Sequence, residues 1–389
     1  MVSLIKNIKN SGSNKVYKKA NSFVAMTGIK ENMVQFDRIR NLRAALTKIP
    51  SKREGIVARA CDDLLNKETG VSHSFELKPF ILEEIQRLKD NELFRYLYYR
   101  YRYDIYPATQ QLDEFPPCIQ IEPTSICNYR CVFCYQTDPK LTQGRHGHMG
   151  MMTLETFKKI VDQIDGKVEA VTLASRGEPL MTKDIVQMLE YLSGKFLGLK
   201  INTNASFLTE EKTHAILAAE PNTLVFSADA SDKDLYAKLR VNGNLENILE
   251  NVRLFNNIKA KHYPDSRTIT RVSGVRYSKD QDFSEIEGFW HSYVDQVAFV
   301  AYNPWESAYD APVNDIKDHC SDLWRRTFVW WDGRVNPCDV DYRSTLTTGN
   351  IKEKSLSDIW LGEEYQKLRT IHQNRSRCMV SPCSGCALI

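Results

Sequence analysis

From about residue 115 onward, short apolar runs alternate with amphipathic stretches. Residues 118–123 (CIQIEP), 170–174 (AVTLA), 199–203 (LKINT), 224–228 (LVFSA), 268–277 and 297–302 (VAFVAY) read as strands. Between them, residues 154–164, 182–192, 209–219, 233 to about 259, and 283–294 carry apolar side chains at three and four spacing and read as helices, the first opened by Thr153. Parallel neighbours need a helix-length connection, so six strand–helix alternations imply a parallel sheet with right-handed crossovers. A partial barrel and a doubly wound sheet both satisfy the pattern, and both place chemistry at the carboxyl ends of the strands.

The flanks follow other rules. Upstream, residues 34–48, 53–66 and 75–103 have helical periodicity. The aromatic and basic run from Phe94 to Tyr103 is expected to pack on the next unit, with tyrosine hydroxyls and arginines reaching water. Downstream of Pro304 the alternation stops. Phe328–Trp331 and Val335–Pro337 flank Asp332-Gly333, a hairpin signal. A final helix is expected over about Ser355 to Gln373, capped by Ser355 or Ser357, before an irregular end, CMVSPCSGCALI. The pattern divides the chain into a helical extension (1–112), an α/β core (113–305) and a small α+β unit (306–389).

Composition narrows the class. A chain of 389 residues exceeds one ordinary core. Its 42% hydrophobic and 26% charged residues suit a soluble globular protein rather than a disordered or membrane one. No apolar run is long enough for a membrane helix, and the lysines at the start precede no apolar stretch, so a cytoplasmic location is expected. In a reducing compartment ten cysteines are better metal ligands or reactive thiols than disulfides. The first fifty residues are basic, with Lys6, Lys9, Lys15, Lys18, Lys19, Lys30, Arg38, Arg40, Arg43 and Lys48 against Glu31 and Asp37. Without a nucleic-acid motif this reads as a solvated leader and a polar helix face, and a nucleic-acid partner is not expected.

The segment after the first strand is Cys127-Asn-Tyr-Arg-Cys131-Val-Phe-Cys134. A structural zinc site closes with four ligands. Cys118, the nearest other cysteine, begins the strand and lies roughly 25 Å away if the segment is extended. Three thiolates leave one coordination position open, and on a [4Fe–4S] cluster an iron without a cysteine can take an outside ligand.

This triplet resembles the signature of the radical S-adenosylmethionine (SAM) superfamily, with Phe133 in the place usually held by an aromatic residue. The resemblance implies a partial (β/α)6 barrel. It also implies a [4Fe–4S] cluster on Cys127, Cys131 and Cys134, whose open iron is chelated by SAM, and reductive cleavage of SAM to a 5′-deoxyadenosyl radical that abstracts a substrate hydrogen. Ser175-Arg176-Gly177-Glu178-Pro179 is similar to the family's Gly-Glu-Pro segment, though many members have Gly-Gly before the glutamate. By that likeness Gly177 and Glu178 would hold the SAM ammonium. Asn202-Thr203-Asn204-Ala205 resembles the Thr-Asn-Gly segment near the ribose. Ser227 and Asp229 resemble the family's Ser-x-Asp, with Ser227 on the SAM carboxylate or ribose and Arg240 on the carboxylate.

Cys320, Cys338, Cys378, Cys383 and Cys386 form a second group, enough for zinc or a fully ligated cluster. Val329 to Cys338, Gly349-Asn350-Ile351 and Ser357 to Trp360 resemble the SPASM or shorter Twitch extension of radical SAM enzymes. That likeness implies one auxiliary [4Fe–4S] cluster on Cys320, Cys338, Cys383 and Cys386, leaving Cys378 over. Twitch-bearing dehydrogenases then suggest oxidation of a small hydroxylated metabolite, a sugar or aminocyclitol, with the auxiliary cluster taking an electron and a donor such as flavodoxin or ferredoxin supplying one. Tyr302, Glu306 and Arg276 are candidates for the base. Epimerisation using Cys378, peptide modification, and a zinc-stapled binding module are the alternatives. His146-Gly-His148 reads as an exposed loop, and one of Trp330 and Trp331 as a core residue.

Overall fold

A computed structural model describes residues 23–28, 36–46, 51–66, 74–76 and 78–389. Of the basic leader, Lys6, Lys9, Lys15, Lys18, Lys19, Lys30 and Lys48 lie outside the described residues. The strands are β1 (Phe23–Thr27), β2 (Cys118–Ile121), β3 (Arg130–Cys131), β4 (Ala170–Leu173), β5 (Gly198–Thr203), β6 (Thr223–Ser227), β7 (Arg240–Val241), β8 (Ile269–Arg276), β9 (Gln296–Ala301), β10 (Arg326–Val329), β11 (Arg334–Asn336) and β12 (Gly349–Asn350). Apart from single turns, the helices are α1 (Phe36–Ala45), α2 (Lys52–Asn66), α3 (Pro79–Arg87), α4 (Asp90–Thr109), α5 (Leu154–Ile164), α6 (Ile185–Leu192), α7 (Glu210–Ala218), α8 (Lys233–Leu239), α9 (Leu245–His262), α10 (Phe283–Trp290), α11 (Leu356–Leu361) and α12 (Glu363–Gln373).

The six expected strands pair in parallel in the order β9-β8-β6-β5-β4-β2. A single cavity touches residues of every one of them. The sheet is therefore curled into a partial barrel, with the crossover helices outside. Those helices start where the caps are: Thr153 Oγ accepts from Thr156 N at 3.2 Å, and the apolar stripe of α5 buries Phe157, Ile160, Val161 and Ile164. The expected helix over 233 to about 259 is two helices. Between them β7 pairs antiparallel with β3, carrying Cys131 opposite Arg240.

Both edges of the sheet are occupied. β1 lies antiparallel on β9. On the other side β10 runs parallel to β2, with Arg326 opposite Cys118, and the hairpin partner β11 and then β12 follow. The hairpin after Pro304 thus continues the barrel sheet instead of standing apart from it. The expected helix over 355–373 is interrupted at Gly362, which has no room for a Cβ beside Asp358 O at 2.6 Å. Ser355 is its cap, accepting from Asp358 N at 3.1 Å.

The tyrosine–arginine run corrects an expectation. It lies on α4, but Arg100 and Arg102 are only 6% and 2% exposed. Arg100 pairs with Asp104 at 2.9 Å and lies near the rings of Tyr99 and Tyr103. Arg102 reaches Phe115 O and Asp113. Local carboxylates and carbonyls replace water, so the guanidinium groups stay inside. Among the described residues, no helix is long and apolar enough to cross a membrane.

Phe328, fully buried on β10, joins the two parts of the sheet. Phe328→Ala is expected to cost about 3–5 kcal/mol and to lower the urea midpoint of the barrel and the C-terminal region together. Two separate transitions would show that the regions fold independently.

Candidate active site

The loop that follows β2 carries the cysteine triplet, and its shape is set by backbone contacts to neighbouring strand ends. Glu178 N donates to Ile126 O at 2.9 Å, and Gly177 packs so closely on this loop that a Cβ would stand 2.3 Å from Thr124 O and 2.5 Å from Ile126 O. Only glycine allows this approach. Gln136 Nε2 bridges Ser125 O and Arg176 O from the far side of the triplet.

One pocket collects the groups named from sequence. Cys127, Cys131, Cys134, Gly177, Glu178, Asn202, Asn204, Ser227 and Arg240 all line it. Phe133 is not in the lining; its buried ring packs on Tyr277, with centroids 5.5 Å apart, and lies under the Arg240 guanidinium. Burial pushes the Cys127 thiol up to about 12, with the Glu178 charge adding to it. Burial also raises Cys131, against the opposing pull of Arg240, whose Nη1 lies 3.6 Å from its sulfur.

The polar residues are already partly engaged. Glu178 accepts from Thr203 Oγ1 at 2.6 Å, Asn204 N at 2.7 Å and Leu180 N at 3.1 Å. Asn204 donates to Asn128 Oδ1 at 3.0 Å. Arg240 forms an ion pair with Asp229 at 2.6 Å. By contrast, the buried Ser175 Oγ and Asn202 Oδ1 have no hydrogen-bond partner, and both residues line this pocket. Unsatisfied buried polar atoms are costly, so the pocket wall suits a polar ligand. Among the described residues no three His, Cys, Asp or Glu side chains are placed to hold a single metal ion. The three sulfurs line the wall of the pocket.

Two residues outside the expected set anchor the site. Glu122, just after β2, and Arg176 have fully buried side chains and meet in a two-point ion pair at 2.6 and 2.7 Å. Arg176 also donates to Tyr342 O at 2.9 Å and stacks over Trp330 at 4.4 Å.

The second cysteine group lies where the chain ends. Cys320, Cys338, Cys383 and Cys386 line one small cavity with Arg377 and Leu388, and Cys378 is not among them. Buried Arg377 donates to Cys386 O at 2.8 Å, Leu388 O at 2.9 Å and Cys383 O at 3.3 Å, clamping the last loop. Asp322 also lines this cavity, paired with Arg325 at 3.2 Å, and the four thiols are a donor set of the kind that iron–sulfur clusters use.

Residues 121–289 match the radical SAM superfamily, and residues 320–387 match SPASM, an iron–sulfur cluster-binding domain. The chain carries a radical SAM core and a SPASM domain. It is 22% identical over 319 residues to the tungsten-containing aldehyde ferredoxin oxidoreductase cofactor-modifying protein of Pyrococcus furiosus, covering 69% of this chain and 87% of that one. It is 20% identical over 188 residues to the mycofactocin maturase of Mycolicibacterium smegmatis, covering 47% of this chain and 46% of that one. Among solved structures, SuiB of Streptococcus suis bound to S-adenosylmethionine overlays with a TM-score of 0.55 at 15% identity, covering 88% of each chain. As a radical SAM enzyme with a SPASM domain, the protein uses [4Fe–4S] clusters and SAM.

The remaining candidates sort themselves by position. Tyr302 donates to Glu306, and the exposed Arg276 lies over the ring of Phe283; none of the three lines the cysteine pocket. Trp330 is buried and Trp331 half-buried, its Nε1 donating to His148 O at 3.0 Å, which ties the His146-Gly147-His148 loop to the hairpin.

Gly177→Ala is expected to displace Glu178 and weaken SAM binding by about tenfold or more, the loss of a charge-assisted hydrogen bond. Equilibrium dialysis with labelled SAM on the anaerobic protein measures this; unchanged affinity would detach the Gly177 contact from cofactor binding.

Proposed function

We propose that the protein oxidises a small hydroxylated metabolite, such as a sugar or aminocyclitol, with the auxiliary cluster as electron acceptor. In this reading Cys127, Cys131 and Cys134 hold the SAM-binding cluster, and Cys320, Cys338, Cys383 and Cys386 hold the auxiliary one. Glu178, Asn202, Asn204, Ser227 and Arg240 orient SAM. When bound, cluster and SAM supply the carbon radical that removes hydrogen from the substrate. A low-potential donor such as flavodoxin or ferredoxin would deliver the first electron.

The observation that carries the reading is the cavity inside the barrel, about 470 Å³. It shares Ser175 and Asn202 with the cysteine pocket and reaches Asp339, the neighbour of Cys338. A molecule bound there would reach from the wall of the cysteine pocket to the residue beside Cys338. Tyr135, next to Cys134, stacks on Tyr342 with centroids 5.1 Å apart, so the chain near both groups is in contact. Such a volume is in the small-molecule range of roughly 300–1,000 Å³.

The second reading is peptide modification, favoured by the likeness to a maturase. SuiB has also been solved with its precursor peptide SuiA. The walls of the cavity favour a small molecule, since α3 and α4 contribute Phe80, Tyr99 and Tyr103 to its lining.

Anaerobic protein is expected to be brown, with about eight irons per chain. Reduced with SAM and hydroxylated candidates, it should form one 5′-deoxyadenosine per oxidised product. Solvent deuterium in the product without net oxidation would replace dehydrogenation by epimerisation, and turnover only with a peptide would replace the substrate class.

The ligand assignment is tested separately. The double variant Cys383→Ala/Cys386→Ala should retain about four irons and still cleave SAM, while Cys378→Ala should keep the full complement. A normal iron count in the double variant would remove the auxiliary assignment.

A further inference from the structure

The barrel interior carries a charge pattern that neither cofactor uses. On β5 the side chains alternate. Leu199, Ile201 and Thr203 are buried, while Gly198, Lys200 and Asn202 are half-buried and line the central cavity. Lys200 therefore projects inward from the middle of the sheet. Arg271 on β8 and Arg326 on β10 line the same cavity from other sides. Burial first, and then the two arginine charges, lower the Lys200 ammonium to about 7 against the opposing pull of Glu84.

None of the three cations forms an ion pair with a described carboxylate. Arg271 donates to the amide oxygen of Gln296 at 2.8 Å. Arg326 donates to Tyr103 Oη at 2.5 Å and to Gln120 Oε1 at 3.4 Å. Nearby carboxylates have other partners: Asp104 pairs with Arg100, and Glu84 accepts from Tyr96 Oη. Glu84 and Asp339 also line the cavity and offset part of this charge from a distance, but neither forms an ion pair with Lys200, Arg271 or Arg326, and three unpaired cations confined together remain unfavourable. Aliphatic side chains would fill a barrel at lower cost, as they do in ordinary packed cores. A bound anion removes the penalty, because charge-assisted hydrogen bonds to a carboxylate or phosphate satisfy all three at once.

We propose that the cavity binds an anionic group of the substrate, a carboxylate or a phosphate ester, through Lys200, Arg271 and Arg326. The substrate is then a small hydroxylated acid or phosphate ester, its anionic end held deep in the barrel and its carbon skeleton directed toward Ser175 and Asn202. This rests on the reading of the cavity as the substrate site.

The test uses the full anaerobic holoenzyme with SAM bound, and calorimetric titration at fixed ionic strength. Sulfate stands in for a phosphate ester and succinate for a carboxylate. Wild type is expected to bind at least one of them at a single saturable site per chain, and the better probe identifies the group. Lys200→Met should weaken that binding by about tenfold or more, and Lys200→Arg should restore most of it. Iron content and circular dichroism report whether each variant has folded. Should Lys200→Met not fold, Thr172→Glu serves instead. Thr172 lies opposite Lys200 on β4 and lines the cavity, so its carboxylate would supply the missing partner and abolish binding of the probe. No saturable binding in wild type, or equal affinity in wild type and the variants, overturns the proposal. Anion binding that depends on Lys200 but does not compete with turnover of an identified substrate would leave the anion site standing and remove the cavity as the substrate site.

Discussion

The buried pair of Glu122 and Arg176 is the contact on which the arrangement of both cysteine groups depends. Glu122 directly follows the first barrel strand, and Arg176 sits in the turn after the second, one residue before Gly177. Through the Trp330 ring and Tyr342 O, the same guanidinium holds the chain on both sides of Cys338. Two fully buried charges add little net stability, because desolvation consumes most of their attraction. Their value is positional. An uncompensated charge at zero exposure costs several kcal/mol, so alternatives that separate these segments are penalised. The result is a fixed relation between the cofactor loop and the C-terminal hairpin.

Much of this was legible in the sequence, for identifiable reasons. The six parallel strands were visible because each is a short apolar run next to a helical stretch, and Thr153, Thr209, Asp232 and Asp282 cap helices between them. The cysteine triplet and the strand-end residues were visible because they are local, lying within a few residues of a strand terminus. Cys320, Cys338, Cys383 and Cys386 line a common cavity, and Cys378 does not. What stayed hidden was non-local. Nothing in Arg326 announces that its strand will pair with Cys118, and nothing in Phe23–Thr27 announces an edge strand on β9. The buried arginines of α4 were misjudged because their partners, Asp104 and the carbonyl of Phe115, matter only once the helix is covered.

The departure of Ser175-Arg176 from the commoner Gly-Gly has a physical consequence. A glycine there could make no side-chain contact, whereas Arg176 spans from the cofactor loop to the SPASM segment. The adjoining Ser175 supplies an unsatisfied hydroxyl shared by the cysteine pocket and the barrel cavity. One dipeptide thus links the cysteine pocket, the barrel cavity and the segment around Tyr342.

The same logic explains why the barrel interior is polar. A closed (β/α)8 barrel is filled by branched apolar side chains that make a packed core. Here the inward positions hold Thr172, Lys200, Asn202, Thr223, Arg271 and Ser273, and the space between them is open. Stability must then come from elsewhere, and it does. The helices outside bury Phe157, Ile216, Phe255 and Trp290 against the outer face of the sheet. The N-terminal helices form a second core against Cys118 and Ala170 at the strand starts. With the apolar burial moved to the outer face and the floor, the interior is free to be selected for recognition. Helices α3 and α4 are then part of the same arrangement, because Phe80, Glu84, Tyr99 and Tyr103 line the cavity.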